Sequence, residues 1–214
     1  MNVAGLVVAL GNPGQQYQNT RHNLGWLVLD ELLDLLARQH MSLQTLKSPK
    51  GPFELWRCNP GGAFNCWKEG EWLFCKPQTY MNLSGEAVGV LAHFYRIAPE
   101  DILVLHDEID LPLGRIRLKK GGSTAGHNGL KSLNSHLGSS AFVRMRFGVG
   151  KPEVGEVSNY VLAKFRPHEQ ADVKEVVDFG AKACLAYMDK GFSAILQEVN
   201  SFRLLRDEKS KPDT

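Results

Sequence analysis

No run in the 214 residues is apolar for long enough to cross a membrane as a helix, so no membrane partner is expected. The apolar run Val3–Leu10 follows no basic segment and ends in Gly-Asn-Pro-Gly, so it reads as a strand and not as a signal peptide. Cysteine is sparse: Cys58, Cys66, Cys75 and Cys184 form no CxxC pair and fit reduced thiols in a cytoplasmic protein. There is no HExxH and no Cys/His ligand spacing, so neither a metal nor a cofactor is expected. A GxGxxG fingerprint is missing after the first apolar run. Gly121-Gly-Ser-Thr-Ala-Gly126-His-Asn128 has the two glycines of GxxxxGK[ST], but His127 and Asn128 stand where Lys and Ser/Thr are required. Without that lysine no charge meets a terminal phosphate, which excludes a nucleotide-hydrolysing loop.

What is present alternates between strand and helix. Val3–Leu10 suits a strand covered on both faces. Leu29, Leu32, Leu33 and Leu36 recur at i, i+3, i+4, i+7 and predict an amphipathic helix over about 23–39. Short Trp-, Phe- and Cys-bearing segments from Phe53 to Cys75 read as strands joined by turns, and Ile102–Leu105 as another buried strand. Ser84 is a candidate cap for a second helix, with Glu86 in its first turn. A short helix is expected at about 127–137, a strand at Phe142–Gly148 and a long helix at about 168–190. The result is one α/β domain over 1–203, a twisted mixed β-sheet flanked by helices on both faces. Residues 204–214 are charged and read as a frayed tail.

Net charge is only +2, yet the charge is unevenly placed. Between Leu111 and Pro152 there are eight basic residues and no Asp or Glu, which leaves 17 Lys and Arg against 23 acids elsewhere. Alternation puts Arg115, Arg117 and Lys119 on one face of a strand, and Arg144 and Arg146 on another. Such a stretch is either a solvated basic face or a footprint for a phosphate backbone; the second reading is preferred.

Two polar segments sit where strands end, the place where open α/β sheets collect ligands. Gly11-Asn12-Pro13-Gly14 leaves the first strand, and His106-Asp107-Glu108 leaves the Ile102–Leu105 strand. Taken singly, a turn explains the first and a solvated strand end explains the second, and these plain readings are preferred. His22 lies just before the first helix, with Asn23 as candidate N-cap. Positive potential at a helix start disfavours imidazolium, and neutral imidazole is what a general base needs. Asp107 as acceptor of the Nδ1 proton would fix the tautomer; the alternative is a structural histidine.

Placed end to end, these segments resemble the bacterial-type peptidyl-tRNA hydrolases. The resemblance rests on Leu10-Gly-Asn-Pro-Gly14 with Tyr17, Thr20-Arg-His-Asn-Leu-Gly25 and Lys76-Pro-Gln-Thr-Tyr-Met-Asn-Leu-Ser-Gly85. It continues through His106-Asp-Glu-Ile-Asp-Leu111, Gly126-His-Asn-Gly-Leu-Lys131 and Arg144-Met-Arg-Phe-Gly148. It implies a metal-free, monomeric α/β esterase that cleaves a peptide from the 3′-terminal ribose of tRNA, engaging the acceptor stem and 3′ end. His22 is then the base, oriented by Asp107, with Asn12 completing the catalytic set. Tyr17, Asn23, Tyr80, Met81, Asn82, His127 and Asn128 would meet substrate, and Arg117, Lys119, Arg144 and Arg146 would meet tRNA phosphate. Ala125 departs from the glycine common at its place, and the segment of about 47–75 is longer than usual, its excess falling in a hairpin.

Overall fold

The structure is a computed structural model that describes residues 2–47, 51–60 and 67–204. Its centre is β1 (Val3–Ala9), whose burial is nearly complete. Leu6 and Val8 face one core and Val7 and Ala9 the other, which is why the run is apolar without alternation. Around it runs a seven-stranded sheet in the order β2-β3-β4-β1-β5-β7-β6. The strands are β2 (Ser42–Leu46), β3 (Phe53–Asn59), β4 (Glu71–Pro77), β5 (Ile102–Glu108), β6 (Ile116–Lys120) and β7 (Val143–Gly148). β4, β1, β5 and β7 are parallel neighbours, while β2, β3 and β6 pair antiparallel at the two flanks.

Helices cover both faces, as expected. On one side lie α1 (Leu24–Arg38), α5 (Gln170–Lys190) and α6 (Phe192–Ser201), closing a core around Leu29, Leu32, Trp72, Val176 and Tyr187. On the other lie α2 (Ser84–Tyr95) and α3 (Asn128–Leu137), with Val88, Leu91, Leu130 and Leu133 against Leu6 and Val104. A short α4 (Val157–Val161) stands apart near the strand ends. β2, α4 and α6 are additions to the sequence reading. The long segment before β4 forms β3 of an antiparallel β3–β4 pair, and residues 61–66 of the connection lie outside the described residues. Of the tail, Leu204 is tied by its N–H to Gly114 O at 3.1 Å, and 205–214 lie outside the described residues.

Two caps differ from expectation. Ser84 is the first residue of α2, and its hydroxyl donates back to Met81 O at 2.9 Å instead of capping. Asn23 occupies the N-cap position of α1 but caps nothing, because its amide is engaged with Asn12. Glu86 does lie in the first turn of α2.

Gly25 sets how closely α1 approaches the strand ends. A Cβ there would lie 2.5 Å from Leu105 O and 2.9 Å from Leu10 O, both backbone atoms that cannot swing away. Gly25→Ala is therefore expected to destabilise the fold by about 1–3 kcal/mol, the usual cost of overpacking. Thermal unfolding checks it: a wild-type Tm would mean that the helix start moves freely.

Candidate active site

β1 is flanked by β4 and β5, so the chain leaves it in opposite directions and a crevice opens beyond their carboxyl ends. A cavity of about 500 Å³ occupies that place. Asn12 follows β1, Tyr80, Met81 and Asn82 follow β4, and Asp107 and Glu108 end β5. His22 comes from the turn before α1. Thr124 to Gly126 lead into His127 and Asn128 at the start of α3, and Val157, Val161 and Leu162 form the far wall.

Asp107 is the hub. One carboxylate oxygen, Oδ1, meets His22 Nδ1 at 2.9 Å and His127 Nε2 at 3.0 Å, and the residue is 2% exposed. His127 caps α3 by accepting the Leu130 N–H at its Nδ1, 3.4 Å away, so its ring proton sits on Nε2 and points at Asp107. His22 Nδ1–H donates likewise, leaving its Nε2 lone pair for other partners. Burial alone would lower the His22 pKa, but the Asp107 charge and hydrogen bond outweigh it and the net shift is upward. The sequence reading expected the helix start to keep this imidazole neutral; the carboxylate reverses that direction. Burial alone would raise the Asp107 pKa, and the two histidines hold it well below the usual carboxylate range instead. His106 packs edge-on against His127 with ring centroids 5.0 Å apart, and burial pushes it down to about 3.

The donor atoms of His22, Asp107 and His127 lie within 4.8 Å of one another, a set that could take a metal ion. Residues so far apart in the chain show no ligand spacing; the sequence reading pairs His22 with Asp107 and puts His127 against substrate, but does not join His127 to Asp107. At 2.9 and 3.0 Å the pairs are hydrogen bonds with a proton in each.

Asn12 is pinned from three directions. Its N–H donates to Asn23 Oδ1 and its C=O accepts from Asn23 Nδ2, both at 2.9 Å, while its own Oδ1 accepts the Met81 N–H at 2.7 Å. Asn23 is thus 2% exposed and does not line the cavity, a correction to its placement against substrate. Its amide oxygen and one of its amide N–H groups hold Asn12. Tyr17 is also outside the lining and meets Tyr80 edge-on, 6.3 Å between centroids. Arg21 is buried, donating to Lys164 O and Glu169 at 2.8 Å under the Tyr160 ring, and so ties the His22 turn to the α4 wall. No period in the sequence exposed that wall, since α4 is barely one helical turn.

The basic face is corrected in two ways. The β6–β7 register pairs Arg117 with Arg146 and Lys119 with Arg144, so all four side chains leave one face of the sheet edge, not two. Arg144, though, is 3% exposed, and its guanidinium donates to Gly122 O at 2.7 Å and Ser123 O at 2.6 Å. Both of its terminal nitrogens are spent on the protein's own backbone. Arg146 is half-occupied: its Nε and Nη2 each lie 2.9 Å from Glu108 Oε2. Burial and repulsion by Arg115 and Arg146 lower the Arg117 pKa, the mark of cations crowded without enough acid.

The family model for peptidyl-tRNA hydrolase matches residues 6–209. The chain is 47% identical over 204 residues to a peptidyl-tRNA hydrolase of Oleidesulfovibrio alaskensis, covering 94% of this chain and 98% of that one. The chain belongs to the peptidyl-tRNA hydrolase family. A second family member, from Nitratidesulfovibrio vulgaris, is 44% identical over 207 residues, or 95% and 99% of the two chains. The crystal structure of a peptidyl-tRNA hydrolase from Acinetobacter baumannii superposes with a TM-score of 0.82 at 33% identity, covering 95% of this chain and 98% of that one. A peptidyl-tRNA hydrolase solved in complex with N-propanol gives 0.83 at 34% identity, covering 94% and 96%. The α/β fold described above is thus shared with those two structures over 94–95% of this chain.

Proposed function

We propose that this chain hydrolyses the ester between a peptide, or another N-blocked aminoacyl group, and the 3′-terminal ribose of tRNA, releasing free tRNA. It does so as a cytoplasmic monomer, without a metal or cofactor. The carrying observation is the His22–Asp107 contact of 2.9 Å on the wall of an amide-lined cavity.

His22 Nε2 removes a proton from water as the oxygen attacks the ester carbonyl, and Asp107 stabilises the imidazolium that forms. The C–O bond to ribose then breaks, and the departing oxygen takes the proton back from His22. Among the described residues the cavity lining includes no Lys or Arg. Stabilisation of the tetrahedral oxyanion therefore falls to amide donors, each worth about 10²–10³-fold in comparable sites. Asn12 suits this because its oxygen is taken by Met81 N–H, which turns its Nδ2 donors elsewhere. Asn82 and Asn128 share the lining and hold water and peptide, while Tyr80, Met81 and His127 shape the opening. Arg117, Lys119 and the free edge of Arg146 hold tRNA phosphate on the neighbouring face.

The test is cleavage of N-acetyl-aminoacyl-tRNA beside free aminoacyl-tRNA with chelator present. Fast, chelator-resistant loss of the blocked ester alone supports the reading; no cleavage by folded protein sinks it. Lys119→Glu is expected to weaken kcat/KM for the tRNA ester and to leave cleavage of a small neutral ester unchanged. The slope of log(kcat/KM) against log(salt) should become shallower by about one or more. Equal loss on both esters would remove the phosphate role.

A further inference from the structure

The Gly-rich wall of the cavity is held from its middle by an arginine. Gly121, Gly122, Ala125 and Gly126 have φ of 65°, 101°, 46° and 84°, and alanine adopts such a value only when its surroundings impose it. At the ends, Gly121 N–H donates to Phe142 O at 3.0 Å, and His127 N–H donates to Thr124 O at 2.8 Å. Between them the Arg144 guanidinium spans the adjacent carbonyls of Gly122 and Ser123 while lying 4.8 Å over the Phe142 ring. Arg146, two residues on and on the same face, is instead bound to Glu108 with its side chain 23% exposed.

We propose that Arg144 is a positioning residue that sets residues 121–127 as the cavity wall, and through them places His127 and Asn128. This deepens the hydrolase reading and rests on it for its kinetic part. A planar fork matches two neighbouring carbonyls at once, which the single point charge of lysine does not. Because Nη1 and Nη2 already have backbone partners and the side chain, its Nε included, is shut off from solvent, Arg144 makes no phosphate contact. The loop it shapes carries the α3 N-cap, and that cap fixes the tautomer with which His127 meets Asp107.

Arg144→Lys and Arg144→Met, with Arg146→Met beside them, test this by turnover, salt dependence and amide hydrogen exchange. Both Arg144 variants are expected to lose kcat by about 10- to 100-fold, the scale of a misplaced catalytic wall. Their salt slope should stay at the wild-type value, whereas Arg146→Met should reduce it by about one. Exchange at 121–127 should quicken by about tenfold or more in both Arg144 variants. A wild-type kcat in Arg144→Lys, a shallower slope in Arg144→Met, or unchanged exchange overturns the proposal. Should Arg144→Met fail to fold, the lysine variant carries turnover and exchange, and Arg144→Gln carries the salt slope. Exchange needs no substrate, so a wild-type protein without hydrolase activity would count against the functional reading while the loop assignment is still decided.

Discussion

His22→Ala is expected to reduce kcat on N-acetyl-aminoacyl-tRNA by at least about 10³-fold, because it removes the group that takes the proton from water. The fold should persist. His22 stands on a turn at the cavity wall with its side chain 13% exposed, and no core cluster includes it. Asp107 loses one of two imidazole donors and keeps His127 at 3.0 Å. A buried carboxylate deprived of one donor costs about 1–3 kcal/mol, which shifts Tm by several degrees without unfolding the protein. Tight tRNA binding should survive, since the phosphate face lies on β6 and β7 and not on the turn that carries His22. Circular dichroism, Tm and single-turnover cleavage decide it together. A folded variant within tenfold of the wild-type rate would remove His22 from the mechanism and point to another base at the same cavity.

The parts legible in the sequence are those governed by local pattern. Val3–Leu10 and Ile102–Leu105 announce buried strands by composition, and the polar residues directly after them mark the cavity because strand ends are where it opens. His22 was found the same way, by its place before a helix with a four-position leucine stripe. Of the pairings between distant residues, only that of His22 with Asp107 was legible, through the family resemblance and the logic of strand ends. Asn23 looks like a cap because capping needs only its own sequence neighbours, whereas its reciprocal bonds to Asn12 depend on a turn eleven residues away. Arg144 and Arg146 are equivalent under strand alternation, and only the position of the Gly-rich loop over one of them separates a buried brace from a half-exposed cation. The direction of the His22 pKa shift failed for a related reason. A helix start acts on it weakly through the backbone, and a carboxylate at 2.9 Å from a strand 85 residues away acts more strongly. The α4 wall escaped because five residues cannot display a helical period.

Asp107→Asn separates orientation from charge and is expected to cost about 10³–10⁴-fold in kcat, the scale seen when such a carboxylate is replaced elsewhere. An asparagine keeps the size, and its amide oxygen in the place of Oδ1 still accepts from both imidazoles, because that one atom serves the two of them. What is lost is the charge: a neutral amide does not stabilise the imidazolium that forms as His22 takes the proton from water. The pH profile gives a second, independent readout. In the wild type the His22 pKa is raised, because the Asp107 charge and hydrogen bond outweigh burial. A base must be neutral to work, so the rate falls as pH drops through that raised value. Replacing Asp107 by asparagine removes the larger raising contribution, the charge, so burial, which lowers the pKa, weighs more. The acidic limb of the residual activity should therefore move to lower pH than in the wild type. Stability responds in the opposite window. A carboxylate held below its ordinary pKa stabilises the folded state above the unfolded value and loses that contribution as pH falls toward the folded one. The variant should accordingly show a flatter acid limb in its unfolding midpoint. An acidic kinetic limb that stays in place would assign it to a group other than His22. A loss of kcat without any shift would mean that Asp107 orients the imidazole but does not set its charge.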